Sequence, residues 1–395
     1  MSYLVNLIDR CLKCSACLEV CPVVQHTKIF PGPKYAGPEV ARLLRPGMVE
    51  DTVDWCLNCK RCELKCPNGV EITQLIIKVK EASVKAKNHY WRDLILGYPH
   101  LSGFWGTAFA GLANTLLTSR LGKKLLDKVL AISPERPFPH YSRQSFLHWS
   151  RSLKSLNKEK VAYFVGCYAN YYEPSIGKAL VNLMELLGIS VIVPQQVCCG
   201  IPLLTNGFRA QAHRLFRKNI ENLLPLVQAG FKVICTCPTC GLAFKKVYLD
   251  ELGTQEAELV AKATYDYAEY LEAYSSRLHH FLHPLPQRLA YHTPCHTMAQ
   301  GIGTPSYSLV SLIPGLKVKL IDSGCCGLSG TFGFKKEKHY LSMAIGNSLF
   351  NAIGQLAPEG VVTDCGSCAM QISFGTGQRV QHPLMIIWGS VQKKN

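Results

Sequence analysis

Nineteen cysteines stand among 395 residues, and all but one fall into two recurrent patterns. The first is Cys11-x2-Cys14-x2-Cys17-x3-Cys21-Pro22, which returns as Cys56-x2-Cys59-x2-Cys62-x3-Cys66-Pro67. The second is Cys…Cys-Cys-Gly…Cys-x2-Cys. It occurs once as Cys167, Cys198, Cys199, Cys237 and Cys240, and again as Cys295, Cys325, Cys326, Cys365 and Cys368. Thiolates are soft ligands that suit iron–sulfur clusters and zinc. A secreted disulfide scaffold is the other use of so many thiols. The chain length, the cysteine spacing and the lack of a basic stretch leading into an apolar run in residues 1–10 argue against it. The expectation is a reducing compartment, with thiolates serving as metal ligands.

The first pattern has the spacing of bacterial two-cluster ferredoxins. A cubane offers four irons at tetrahedral corners, and a short loop with a thiolate every third residue reaches three of them. After x3 the chain turns away at Pro22 or Pro67, each of which removes a backbone donor. The fourth ligand then comes from the other run. This gives Cys11, Cys14, Cys17 and Cys66 for one [4Fe–4S] cluster, and Cys56, Cys59, Cys62 and Cys21 for the second. Zinc is the competing reading, but zinc sites usually use two CxxC pairs. The stretch between the runs is longer than a minimal ferredoxin connection and includes the Pro/Gly-rich FPGPKYAGPE at 30–39. That segment is expected to be a loop facing a partner or a quinone rather than core.

The second pattern recurs at a nearly constant offset. Cys167 matches Cys295 at an offset of 128, Cys198 and Cys199 match Cys325 and Cys326 at 127, and Cys237 and Cys240 match Cys365 and Cys368 at 128. Such an offset marks an internal repeat. Five thiols per copy exceed what a zinc tetrahedron needs. Adjacent cysteines are better placed to bridge an extended cluster than to meet on one small ion. Gly200 and Gly327 allow positive φ or close backbone approach. Cys235, outside both patterns, reads as a buried strand-end thiol. The pattern resembles the cysteine-rich CCG domain of heterodisulfide reductase catalytic subunits and several respiratory dehydrogenase subunits. The resemblance implies a further iron–sulfur cluster, of the non-cubane [4Fe–4S] type, or zinc in one copy. His292 and His296 flank Cys295 as candidate ligands or proton carriers, with a structural role as the alternative. The first copy has no matching histidine pair.

Both copies alternate strands with helices. Strands are expected at 161–167, 190–194 and 232–237, with helices near 175–188 and 209–229. The second copy repeats this with strands at 288–295, 317–322 and 360–365 and helices near 305–313 and 336–354. Such alternation builds parallel α/β layers, and ligands of such sheets sit at the carboxyl ends of the strands. The repeated cysteines fall at or just after those ends. The fold class is therefore α/β, with an N-terminal α+β/helical two-cluster ferredoxin module and two tandem α/β CCG domains. The expected boundaries are 1–80, 81–158, 159–285 and 286–395. Residues 255–285, rich in Tyr and His, are expected as a helical insertion. Lys335 and Lys336 read as a solvated helix start, or as a face for an anionic partner.

Apolar residues make up 48% of the chain and charged ones 18%, enough for a sizeable core. The formal charge is +16, of which +10 lies between Lys78 and Lys160. No nucleic-acid motif accompanies it, so no nucleic acid is expected as a partner. Within this segment, residues 94–119 carry no formal charge except at His100, and Lys85, Lys87, Arg92, Arg120, Lys123 and Lys124 bracket them. Pro99 and several glycines argue against a spanning helix. Two readings stand: an interfacial segment on an anionic membrane surface, or a buried helix packing the ferredoxin module against the repeats.

The order of modules, together with PGPKYAGPE (31–39), CLNCKRCELKCP (56–67), CCGIPLLTNGF (198–208), YHTPCH (291–296), CCGLSGTFGFKKE (325–337) and VVTDCGSC (362–368), resembles one family over nearly the whole chain. It is the iron–sulfur C subunit family of anaerobic glycerol-3-phosphate dehydrogenases. The resemblance implies an electron-transfer subunit without catalytic residues of its own. A separate flavoprotein oxidises sn-glycerol 3-phosphate, and electrons pass through this subunit toward menaquinone. The subunit also anchors the complex peripherally at the cytoplasmic face of the inner membrane. No GxGxxG opens a helix after a strand, so the chain itself shows no sign of the usual flavin or nicotinamide fold. The alternative is a heterodisulfide-reductase-like or quinone reductase whose CCG cluster is itself catalytic.

Overall fold

Side chains alternate across a strand, so an all-apolar strand must bury both faces. The two inner strands of each repeat copy largely do this, whereas Lys317–Ile321 leaves Lys317, Lys319 and Leu320 exposed. The computed structural model describes residues 8–43, 45, 48–86, 88–153, 159–321 and 323–393. In it each copy folds as a four-stranded parallel sheet. The first contains β1 (Glu159–Phe164), β2 (Ile189–Ile192), β3 (Lys232–Cys235) and β4 (Thr264–Asp266), in the order β2-β1-β3-β4. The second contains β5 (Arg288–His292), β6 (Lys317–Ile321), β7 (Gly360–Val362) and β8 (Val380–Gln381), in the order β6-β5-β7-β8. Asp322, the end of one expected strand, and Lys87, one of the bracketing cations, lie outside the described residues.

Val161, Tyr163 and Ile234 from one sheet share a single core with Leu289, Tyr291 and Val362 from the other. Helices Pro174–Leu186, Pro305–Ser311 and Pro383–Gln392 fill it. The alternate residues face outward. Ala162, Phe164, Val233 and Cys235 pack under helix Arg209–Gln228. Ala290, Ile321 and Val361 pack under helix His339–Leu356. The two copies thus form one layered body, and Cys235 is the buried strand-end thiol expected.

Three local expectations are corrected. Residues 255–285 are not purely helical, because Thr264–Asp266 pairs with β3 as the sheet's fourth strand, and β8 plays the same part in the second copy. Segment 30–39 is largely core. Phe30, Ala36, Gly37 and Pro38 are buried, and a Cβ on Gly37 would lie 2.9 Å from Ile72 Cγ2. Its small residues serve close packing against helix Ile72–Ser83. Lys335 is not solvated. Its Nζ sits 2.8 Å from Asp93 Oδ2 and 2.7 Å from Asn206 Oδ1, while Lys336 stays exposed and pairs with Asp127.

That Lys335–Asp93 pair belongs to a buried network tying the linker to the second copy. Arg92 donates to Asp93 Oδ1 at 2.9 Å and to both oxygens of Glu337 at 2.8 and 2.9 Å. Burial alone would raise Asp93, but Lys335 and Arg92 hold it below the ordinary carboxylate value. Its contribution to stability is therefore complete above the unfolded value of about 4 and is lost as pH falls through the lower folded value. Asp93→Asn strands a buried ammonium, so it is expected to cost about 3–5 kcal/mol. Chemical denaturation at pH 7 should show this loss, and Lys335→Met in the same background should recover a large part of it.

Candidate metal centres

The two ligand runs of the N-terminal module share one backbone shape. Lys13 and Ser15 in the first, and Asn58 and Lys60 in the second, hold φ between 54° and 67°. These pairs occupy matching places after Cys11 and Cys56. Left-handed non-glycine residues cost about 1–3 kcal/mol each, and they persist where the surroundings over-determine them. In the second run, Asn58 N–H lies 3.4 Å from Cys56 Sγ, and Val70 N–H lies 3.4 Å from Cys66 Sγ. Backbone donors aimed at sulfur are what an anionic cluster needs.

Cys11, Cys14, Cys17 and Cys66 line one open cavity. Cys21, Cys56, Cys59 and Cys62 line a second. Each run therefore sends its last cysteine to the other's group. Cys14 is exposed, while Cys17, Cys21 and Cys62 are buried. Burial is the main force pushing Cys21 up to about 11, with the neighbouring Cys56 adding to it. Crowded, desolvated thiols ionise only beside positive charge, and ligated iron supplies it. No group of three or more His, Cys, Asp or Glu side chains among the described residues is placed to hold a single metal ion.

In each repeat copy the five thiols form a continuous chain of sulfur contacts. Cys198 meets Cys167 and Cys199, Cys199 meets Cys240, and Cys240 meets Cys237. The second copy repeats this as Cys295, Cys325, Cys326, Cys368 and Cys365. The Cys-Cys-Gly turn makes the approach feasible. Gly200 has φ 76° and Gly327 φ 85°, and a Cβ on Gly327 would lie 2.1 Å from Ser342 O. Cys325 is held well below the ordinary thiol value because it accepts hydrogen bonds from Cys295 and Cys326. The donor chemistry, strand-end placement and crowding fit an extended iron–sulfur cluster.

The groups adjoin one another. The second ferredoxin run docks on the second Cys-Cys-Gly loop. Arg61 Nη2 donates to Gly324 O at 2.6 Å, and Ser329 Oγ donates to Leu57 O at 2.5 Å. Cys59 feels the charge of Cys325, and Cys295 feels that of Cys59. His296 joins three groups. Its Nε2–H donates to Asn58 O at 3.1 Å, and its Nδ1 accepts from Thr239 Oγ1 at 2.9 Å. Asn58 lies between Cys56 and Cys59, and Thr239 between Cys237 and Cys240. With both nitrogens engaged, His296 is a structural bridge. Its counterpart in the first copy, Tyr168, packs against Gly366 beside Cys365. His292 is buried beside Cys325 and is held down to about 4 by that burial, so it is neutral.

Arg136 lies in the linker outside every sequence motif, so nothing in the residue pattern singles it out. It is 1% exposed. Burial pulls it down to about 10, opposed by the charge at Cys326.

At the far end, the linker forms four helices, Tyr90–Gly97, Pro99–Ala108, Ala110–Thr118 and Arg120–Leu130. One side is built of glycines that pack inward. A Cβ on Gly103 would lie 2.3 Å from the Tyr171 ring, and one on Gly97 would lie 2.7 Å from Leu203. Tyr171 in turn borders Cys167 and Cys198. The other side exposes Leu101, Phe104, Trp105, Phe109, Leu112 and Leu116. The buried-helix expectation therefore holds only for the glycine side. The apolar face also continues past residue 119. Leu121, Leu125 and Val129 form an exposed i, i+4, i+8 stripe beside exposed Arg120, Lys124 and Lys128. That spacing is visible in the sequence. Among the described residues no helix is long and apolar enough to cross a membrane.

Comparison with known proteins agrees with this architecture. The family described as 4Fe-4S dicluster domain matches residues 7–70, and the family described as Cysteine-rich domain matches 161–245 and 289–373. The C subunit of the anaerobic glycerol-3-phosphate dehydrogenase of Escherichia coli K12 is 36% identical over 391 residues, covering 96% of this chain and 97% of that protein. The B subunit of the fumarate reductase (CoM/CoB) of Methanothermobacter marburgensis is 26% identical over 92% of this chain and 67% of its own. The glycolate oxidase iron-sulfur subunit of Escherichia coli K12 is 23% identical over 98% and 95%. At the 36% identity found along nearly both full lengths, the chain belongs to the C subunit family of anaerobic glycerol-3-phosphate dehydrogenases.

Proposed function

We propose that the chain is the iron–sulfur conductor of a quinone-linked glycerol-3-phosphate dehydrogenase. A separate flavoprotein oxidises the substrate, and the electrons leave toward membrane menaquinone. The observation that carries this reading is the linear order of the thiol groups. The group that includes the exposed Cys14 borders the group with half-buried Cys59, which borders the second cysteine-rich set. His296 and Thr239 link that set to the first, which lies beneath the apolar linker helices. One end faces solvent, where a flavoprotein can dock, and the other lies beside the surface suited to lipid.

Cys11, Cys14, Cys17 and Cys66 would hold one cubane, and Cys21, Cys56, Cys59 and Cys62 the other. The two five-cysteine sets would hold further clusters. Bound clusters supply one-electron carriers whose potentials the protein tunes over a wide range. The chain's own residues fix the centres in sequence and donate backbone N–H groups to sulfur. The exposed aromatic and basic face would hold the complex peripherally on an anionic bilayer.

Anaerobic iron and sulfide quantification with EPR tests the cargo. Two cubanes alone account for about eight irons, so the expected content exceeds that number. About eight irons together with zinc would instead make the cysteine-rich sets structural. Stopped-flow mixing with glycerol 3-phosphate tests the division of labour. Reduction should require the flavoprotein, and reduction of the isolated chain by the substrate would sink the proposal.

A further inference from the structure

Arg136 is buried and has no acidic partner among the described residues. Its Nη1 donates to Gln371 Oε1 at 2.5 Å and its Nε to Gly333 O at 3.3 Å, while Nη2 lies 3.8 Å from Met343 Sδ. Phe334 and Phe374 cover the guanidinium, with ring centroids 5.8 and 5.1 Å away. All these partners are neutral. Among the described residues no carboxylate contributes to its electrostatic environment, and the ionisable group that does is the Cys326 thiol. A buried guanidinium without a counter-ion is strongly unfavourable, so an anion is expected within its field.

A hydrogen-bond relay leads from the guanidinium toward the second set of thiols. Gln371 Nε2 donates to Ser342 O at 3.2 Å, and Ser342 Oγ donates to Gly327 O at 2.8 Å. Gly327 N–H in turn faces Cys325 Sγ at 3.4 Å. This relay runs from the guanidinium to the Cys-Cys-Gly turn of the second set. Among the described residues the first copy has no such relay. Ala243 occupies the position that matches Gln371. Its Cys-Cys pair is supported by neutral donors, Asn219 Nδ2 to Cys198 O at 3.1 Å and Tyr248 OH to Cys199 O at 3.0 Å. Phe164, Phe244 and Tyr248 share a buried core with it. Two sets of the same five cysteines therefore sit in fields of different charge.

We propose that Arg136, acting beside Arg61 at the Gly324 carbonyl, is a counter-charge of the centre held by Cys295, Cys325, Cys326, Cys365 and Cys368, and that it keeps this centre easier to reduce than its twin. The inference rests on the reading that both sets carry redox-active clusters. Cluster potentials rise when nearby positive charge offsets the added electron. The second set, next to the ferredoxin module, then draws electrons out of that module, and the onward step to the first set runs uphill. Arg136 acts as a positioning residue and touches no reacting atom.

Potentiometric EPR on the anaerobically purified full chain tests this. Cys368→Ser identifies the second-set signal by its loss. In Arg136→Gln that centre should be at least tenfold harder to reduce, a fall of about 59 mV for one electron. The first-set and ferredoxin signals should not move, and Arg136→Lys should recover most of the shift. An unmoved second-set potential overturns the proposal, as does an equal shift of every signal. If Arg136→Gln loses iron from the set, Arg136→Lys decides: iron and potential retained support a charge role, and iron lost again overturns it. A wild-type chain with no redox-active iron in the second set would overturn both readings, and it would be seen before any substitution is made.

Discussion

A chain carrying Cys59→Ala is expected to keep its outer cubane reducible while electron delivery to both cysteine-rich sets collapses. Cys59 sits at the junction. It shares its cavity with Cys21, Cys56 and Cys62 and lies within the field of Cys325. Removing groups that merely support a metal ligand costs about 10–100-fold, so loss of a ligand at the junction should slow downstream reduction by about 100-fold or more. Rapid-freeze EPR after mixing with flavoprotein and glycerol 3-phosphate separates the steps. The outer signal should form at the wild-type rate, and the cysteine-rich signals should lag. Cys235→Ser is the control, because that thiol is fully buried yet outside every set, and it should leave the kinetics unchanged. Cysteine-rich signals that appear at the wild-type rate in Cys59→Ala would mean that electrons reach them by another route, and the linear order would have no functional meaning.

How much of this is legible in the sequence follows from the kind of information each feature carries. Spacing is local, so the cysteine runs, the internal repeat and the strand ends can be read directly. The parallel sheets follow from apolar strands alternating with helices. Position in space is not local. Nothing around Arg136 in the linker announces that it reaches Gln371, 235 residues later. The same limit hides the role of His296, whose partners Asn58 and Thr239 belong to two other modules. Composition misleads where it stands for exposure. Pro and Gly in 30–39 suggest a loop, but Gly37 is there because helix Ile72–Ser83 comes too close for a Cβ. Lys335 suggests a solvated helix start, yet it is buried against a carboxylate from the linker. Strands β4 and β8 escape detection because segments as short as Thr264–Asp266 and Val380–Gln381 cannot show a period.

Leu121→Gln/Leu125→Gln/Val129→Gln is expected to release the chain from anionic vesicles while leaving its clusters intact. These residues, 81%, 55% and 67% exposed, contribute little to the fold. An apolar stripe facing solvent gains free energy only when something covers it. On a bilayer each such side chain is worth about 1.5–3 kcal/mol if fully buried, and each adjacent Lys or Arg adds about 1 kcal/mol on an anionic surface. Even partial burial of about 1 kcal/mol apiece makes the triple substitution worth about 100-fold in binding. Flotation with vesicles containing anionic lipid measures it. Raising the salt should weaken wild-type binding by screening Arg120, Lys124 and Lys128, and neutral vesicles should bind less. Ser in place of Phe104, Trp105 and Phe109 should add to the loss, because these rings lie on the same exposed side. Iron content and EPR spectra serve as the folding check, and they should match wild type since none of the substituted side chains touches a thiol group. Undiminished flotation of the triple variant would assign the apolar face to a protein partner. The first cysteine-rich set would then lie beneath a subunit interface, and the route to the quinone would run through that partner.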